Sequence, residues 1–129
     1  EGADVVITAT ATDTSYIGAG DVRGARLIVN LSLMDCTLDV FAKAGTLVVD
    51  DLEQCKRAKK VFKKGVDEGV IDVSSVYELS DILFGEHVNK FFPGCVLVNP
   101  IGMAVEDILV ARAVYDKVKN DPGVPTFEI

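Results

Sequence analysis

Residues 26–51, RLIVNLSLMDCTLDVFAKAGTLVVDD, are the stretch whose reading decides the fold. Two short apolar runs, Arg26–Leu31 and Thr46–Val49, read as strands, and each empties into a polar segment that carries carboxylates. The first passes into Asn30-Leu31-Ser32-Leu33-Met34-Asp35, the second into Asp50-Asp51. Between them Thr37–Ala44 has helical spacing, with Leu38, Phe41 and Ala42 recurring and Gly45 at the stop. In an open parallel sheet, ligands sit outside the carboxyl ends of the strands. Asp35 is therefore the candidate for chemistry; its alternative is a cap on the Thr37–Ala44 helix, a position that favours aspartate. Asp50 and Asp51 read as caps of the helix opening at Leu52-Glu53-Gln54, where a carboxylate meets the positive end of the dipole.

Working outward, Ala3–Ala9 (ADVVITA) is rich in β-branched residues and fits a strand covered on both faces, as in a parallel sheet. Thr8, Thr10 and Thr12 lead into the polar loop Asp13-Thr14-Ser15, whose hydroxyls bond locally or to a ligand over the strand end. Gly18-Ala19-Gly20 with Gly24 mimics a phosphate-cradling loop but leads into a strand instead of opening a helix, so it reads as a connecting turn. Downstream, a helix runs from Leu52 to about Lys64, where Gly65 and Gly69 should break it. Ser74-Ser75 should open another helix, with Val76, Leu79, Ile82 and Leu83 on one side and an end at Gly85. Cys95–Val98 is a further strand, stopping at Asn99-Pro100-Ile101-Gly102. A long amphipathic helix follows, its apolar stripe formed by Met103, Ile108, Leu109, Ala113, Val114 and Val118. Asn120-Asp121-Pro122-Gly123 ends it, leaving Val124–Ile129 as a possible short edge strand. The succession is an α/β pattern.

The 129 residues amount to one domain, and 49% of them are apolar, enough for a core. No apolar run reaches the roughly 18 residues of a membrane span, and no charged stretch followed by an apolar core reads as a signal peptide. The first residues, Glu1-Gly2, lack a methionine, from which we expect a segment of a longer polypeptide. Cys36, Cys55 and Cys95 are widely spaced and odd in number, as in a reduced, cytoplasmic chain with buried thiols. A net charge of −7 disfavours a nucleic-acid partner. The basic run Lys56-Arg57-Ala58-Lys59-Lys60-Val61-Phe62-Lys63-Lys64 reads as the solvated face of a helix, with a phosphate-contacting patch as the other reading. His87 is the only histidine, so no metal site built on histidines is available.

Taken in order, ADVVITATAT, IVNLSLMDCTLDVF, LVVDDLEQCKRA, ELSDILFGE and LVNPIGMAVEDILVARAVYDKV resemble the C-terminal part of the ornithine cyclodeaminase/mu-crystallin family over nearly the whole chain. The N-x-S-L-x-D block with VVDDLEQCKRA is most similar to the siderophore-precursor branch, whose members are NAD-dependent dehydrogenases cleaving N-(2-amino-2-carboxyethyl)-L-glutamate to 2,3-diaminopropionate and 2-oxoglutarate. The resemblance implies that residues 1–118 are the second half of a Rossmann-type NAD(P)-binding domain, a parallel sheet with flanking helices. It implies that residues 119–129 are a tail returning toward an N-terminal substrate and dimerisation domain. It further implies that Asp35 is the catalytic acid/base, or positions water, at the α-carbon of a small amino-acid substrate. Ser32, Leu33 and Met34 would form the loop beside the nicotinamide. Thr8, Ala9 and Thr10 would contact the NAD cofactor from their strand end, and Asn99, Pro100, Ile101 and Gly102 would make the turn closing over it.

Hydride would pass from the α-carbon to NAD+, water would attack the resulting imine, and Asp35, its pKa raised by desolvation, would handle the proton. The cyclodeaminases of the family carry an insertion with a lysine just after the aspartate. Here Asp35-Cys36-Thr37 runs straight into Leu38-Asp39, which argues against ornithine. The family's glycine-rich turn, ribose-binding acid and substrate-carboxylate lysine and arginine lie upstream and have no match in these residues. Two other functions fit the family: an ammonia-lyase that recycles NAD, and a non-catalytic binder of the crystallin type. A half-sheet would also leave a bare edge and an apolar face, so association as a homodimer or by element exchange is expected.

Overall fold

The computed structural model describes residues 2–85 and 92–125. Five strands form one wholly parallel sheet: β1 (Val5–Thr8), β2 (Leu27–Asn30), β3 (Thr46–Val49), β4 (Val76–Glu78) and β5 (Val96–Val98), in the spatial order β1-β2-β5-β3-β4. Helix α1 (Leu38–Lys43) joins β2 to β3, while α2 (Leu52–Arg57) and α3 (Val61–Asp67) join β3 to β4. Helix α4 (Leu79–Phe84) follows β4, and α5 (Ala104–Val118) follows β5. This is the α/β parallel sheet with flanking helices expected from the sequence.

Registered partners in a parallel sheet share a face, so Val6, Ile28, Leu97, Leu47 and Val76 form one row across all five strands. Against that row pack Val40 and Phe41 of α1, Cys55 of α2, and Val61 and Phe62 of α3. Leu97 is 0% and Phe62 1% exposed, which makes this layer the core. The opposite face is barer at its β1 end, where Val5 is 51% and Ile7 63% exposed, although a parallel strand is normally covered on both sides.

Several elements differ from the sequence expectation. The single helix from Leu52 to Lys64 is two, because Ala58 and Lys60 both take extended backbone at the junction. Cys55 before the break and Val61 and Phe62 after it are all buried. Gly65 does not end a helix but lies within α3, where a Cβ would come within 2.6 Å of Ile71 Cδ1 and 2.8 Å of Leu38 Cδ1. Its role is close approach. Residues expected to open a helix at Ser74-Ser75 instead form a 3₁₀ turn, Val73–Ser75, and then the edge strand β4, with the helix delayed to Leu79. The apolar stripe of α5 is present, but no residue of the helix is buried: Ile108 is 65%, Leu109 64% and Val114 54% exposed. His87 and the last four positions of the expected edge strand Val124–Ile129 lie outside the described residues; Val124 and Pro125 are not in a strand. Among the described residues no helix is long and apolar enough to cross a membrane.

Candidate functional site

The carboxyl ends of β1, β2, β5 and β3 each present a buried polar residue: Thr8, Asn30, Asn99 and Asp50. Three of them form a line of hydrogen bonds across the sheet. Thr8 Oγ1 donates to Asn30 Oδ1 at 3.0 Å, and Asn30 Nδ2 donates to Asn99 Oδ1 at 2.8 Å. Asn30 is 0% and Asn99 1% exposed, so each bond offsets a desolvation cost of about 1–3 kcal/mol per unpaired group. No buried side-chain polar atom among the described residues lacks a partner.

Asp35 lies beside this line. Its carboxylate accepts from Thr10 Oγ1 and, at 3.4 Å, from the Thr10 amide, while its own amide donates to Ser32 Oγ at 3.4 Å. Its carbonyl accepts from the Tyr16 and Ile17 amides at 3.0 and 2.9 Å, which straps the 13–17 loop across it. The side chain is fully buried. Burial pushes the carboxyl pKa up, but hydrogen bonds from Ser32, Thr10 and Thr8 outweigh that and leave it below the usual 3.8. The upward shift expected from desolvation is therefore reversed: at neutral pH Asp35 is a carboxylate, with a lower proton affinity than the raised-pKa base expected from the sequence. Nor does Asp35 cap α1; Thr37 is the residue at the cap position, and the aspartate reaches back to the loop after β1.

The loop into Asp35 is wound tightly. Leu33 has φ 65°, a left-handed conformation that costs an ordinary L-residue about 1–2 kcal/mol. Ser32, Leu33 and Met34 are half-buried around it. Ala9 lies exposed between Thr8 and Thr10. On the other side of β5, the turn Asn99-Pro100-Ile101-Gly102 is gripped by Asp50, whose carboxylate accepts from the Ile101 amide at 2.8 Å and the Gly102 amide at 2.7 Å. Gly102 has φ +84°, so the turn requires glycine there. Asp51 behaves as read from the sequence, accepting from the Gln54 amide at 2.8 Å as the α2 cap.

The structure thus brings Thr8, Thr10, Ser32 and Asp35 into one cluster and ties Asn99 to it through Asn30. Pro100, Ile101 and Gly102 form the adjoining turn, held from β3. Two residues of this arrangement were not singled out from the sequence, Asn30 and the clamping role of Asp50. The available signal was an asparagine and an aspartate closing apolar runs, since a polar residue ending a buried strand must find partners. The thiols stay protonated: burial, then the nearby Asp35, pushes Cys36 up to about 11, and burial followed by Asp50 and Asp51 pushes Cys55, which donates to the Asn99 carbonyl at 3.8 Å, up to about 12.

No family model matches the sequence. The chain is 37% identical over 124 residues to N-((2S)-2-amino-2-carboxyethyl)-L-glutamate dehydrogenase of Staphylococcus aureus (strain NCTC 8325 / PS 47), covering 91% of this chain and 35% of that protein. Among solved structures it superposes on CmnK with TM-score 0.81 at 28% identity, over 98% of this chain and 39% of the other. It superposes on the probable ornithine cyclodeaminase from Bordetella pertussis Tohama I with TM-score 0.72 at 26% identity, over 97% and 42%. The chain spans little more than a third of the curated relative's length. With this sheet order and these relatives, the chain resembles the C-terminal part of ornithine cyclodeaminase/mu-crystallin family proteins.

Proposed function

We propose that the chain supplies the nicotinamide-facing half of an NAD-dependent amino-acid dehydrogenase that cleaves a C–N bond in a carboxylate-rich N-substituted amino acid, of the kind named in its Staphylococcus aureus relative. The observation that carries the reading is Asp35: an ionised carboxylate, fully buried, at the carboxyl ends of parallel strands beside two candidate cofactor loops.

The residues present fit one end of a dinucleotide and not the other. The Thr8–Thr10 strand end, the Ser32–Met34 loop and the Asn99–Gly102 turn suit a nicotinamide ring, whereas the Gly18–Gly24 segment leads into β2 and opens no helix for a phosphate. When bound, NAD supplies the hydride acceptor. Asp35 takes a proton from the water that adds at the substrate's imine carbon, and Thr10 and Ser32 hold it ionised and aimed until then. The buried Thr8–Asn30–Asn99 line fixes the two cofactor loops relative to each other. The location we propose is the cytoplasm, in line with three unpaired cysteines.

General acid–base help is worth about 10²–10⁴-fold, so Asp35→Asn in the full gene product should lower kcat by that range with little change in NAD affinity. A variant turning over like the wild type removes Asp35 from the mechanism. Accumulation of NADH during turnover distinguishes this reaction from a cyclodeaminase-type ammonia-lyase, which returns the hydride to its product. Nucleotide binding without turnover would point to the non-catalytic binder.

A further inference from the structure

A cleft of about 680 Å3 opens between the Asp13–Ser15 loop, the start of α1 and the junction of α2 with α3. Met34, Leu38 and Val61 give it apolar walls, and four lysines line it. Two of these are neutralised within their own helix: Lys63 Nζ lies 2.5 Å from Asp67, and Lys64 Nζ 3.8 Å from Glu68. Lys59 and Lys60 have no ion pair among the described residues. The helix break places them there. The Lys60 amide donates to the Ala58 carbonyl at 2.7 Å, and burial of Val61 and Phe62 anchors the segment just beyond. On a chain of net charge −7, two adjacent uncompensated ammonium groups in a concavity run against the overall field.

We propose that this cleft is a binding subsite for the dicarboxylate part of an amino acid, with Lys59 and Lys60 as the counter-charges. Asp13, also on the lining, offers an anionic partner for the ligand's amine, and the three apolar side chains accommodate the methylenes between the charged ends. Met34 and Thr37 line the cleft and flank Asp35-Cys36 in sequence, so a ligand seated here adjoins the loop that carries the candidate base. Identifying the ligand with the substrate rests on the functional reading above; the binding itself does not.

The test is an NMR titration of this chain with L-glutamate at constant ionic strength, following the Met34 methyl and the amides of Lys59 and Lys60. A saturable shift is expected. One ammonium contributes about 1 kcal/mol to a carboxylate some 4 Å away in water, so Lys59→Ala and Lys60→Ala should each weaken the apparent Kd about five-fold. Lys56→Ala removes the same formal charge from a lysine that pairs with Glu53 outside the cleft, and should leave the Kd unchanged. The proposal is overturned by any of three results: no saturable shift, equal weakening by Lys56→Ala, or displacement of glutamate by inorganic phosphate at matched concentration. None of these bears on Asp35, whose turnover test stands apart, so failure of the subsite and failure of the dehydrogenase reading are separable.

Discussion

Two aspartates at strand ends hold the site in different ways, and each can be tested alone. Asp35 has a folded-state pKa below the ordinary 3.8, so its ionised form stabilises the fold above that pH, and the contribution is lost as pH falls through the lower folded value. Thermal melts from neutral pH to about pH 3 should show a loss that is smaller in Asp35→Asn, which has no carboxylate there to protonate. A variant with the same acid sensitivity as the wild type would show that Asp35 contributes none of it. Asp50 presents acceptors to the amides of Ile101 and Gly102, and to that of Asp51 at 2.9 Å. Asp50→Ala leaves these donors without a protein partner and should cost about 1–3 kcal/mol. Amide exchange should rise at Ile101 and Gly102 while the Leu97 amide stays protected; unchanged protection at the turn would mean that something else holds it.

At the scale of elements, packing set what periodicity left open. Gly65 shows this most directly. It reads as a helix breaker, yet it sits inside α3 because Leu38 and Ile71 press against the helix there. Gly65→Ala should therefore destabilise by about 1–3 kcal/mol by overcrowding, in spite of alanine's better helix propensity, as measured by chemical denaturation. A gain in stability would show that the neighbours give way easily. Strands β2 and β3 were legible because each is an apolar run closed by polar residues, and β3 matches its expected span, Thr46–Val49. Strand β4 was not, since Val76-Tyr77-Glu78 is short and only half-buried and gains its strand form from pairing with Leu47–Val49. The α2–α3 break was hidden as well: Lys56–Lys64 has helical composition throughout, and no glycine or proline marks the extended backbone at Ala58 and Lys60. Around Asp35, the position after a strand was readable, but its bonds to Thr10 span 25 residues and leave no local trace.

For the whole molecule, the distribution of exposed apolar groups bears on association. Among the described residues nothing pairs with the outer edge of β1, Val5 and Ile7 beside it are exposed, and so is the apolar stripe of α5; proteins ordinarily cover such surfaces. We expect the 129-residue chain alone to form a homodimer or to exchange elements, with sedimentation equilibrium in the tens-of-micromolar range giving a mass above the 13.8 kDa of one chain. A monomer there would mean that these surfaces do not drive self-association. The sheet order carries a different consequence, for how the chain is made. Strand β5 is the last of the five to leave the ribosome, yet it lies in the middle, between β2 and β3. Until Val98 emerges, the nascent polypeptide holds two separate strand pairs with no keystone between them. Translation must therefore run past three quarters of this sequence before the sheet can close, and a ribosome stalled earlier would leave both pairs open to chaperones.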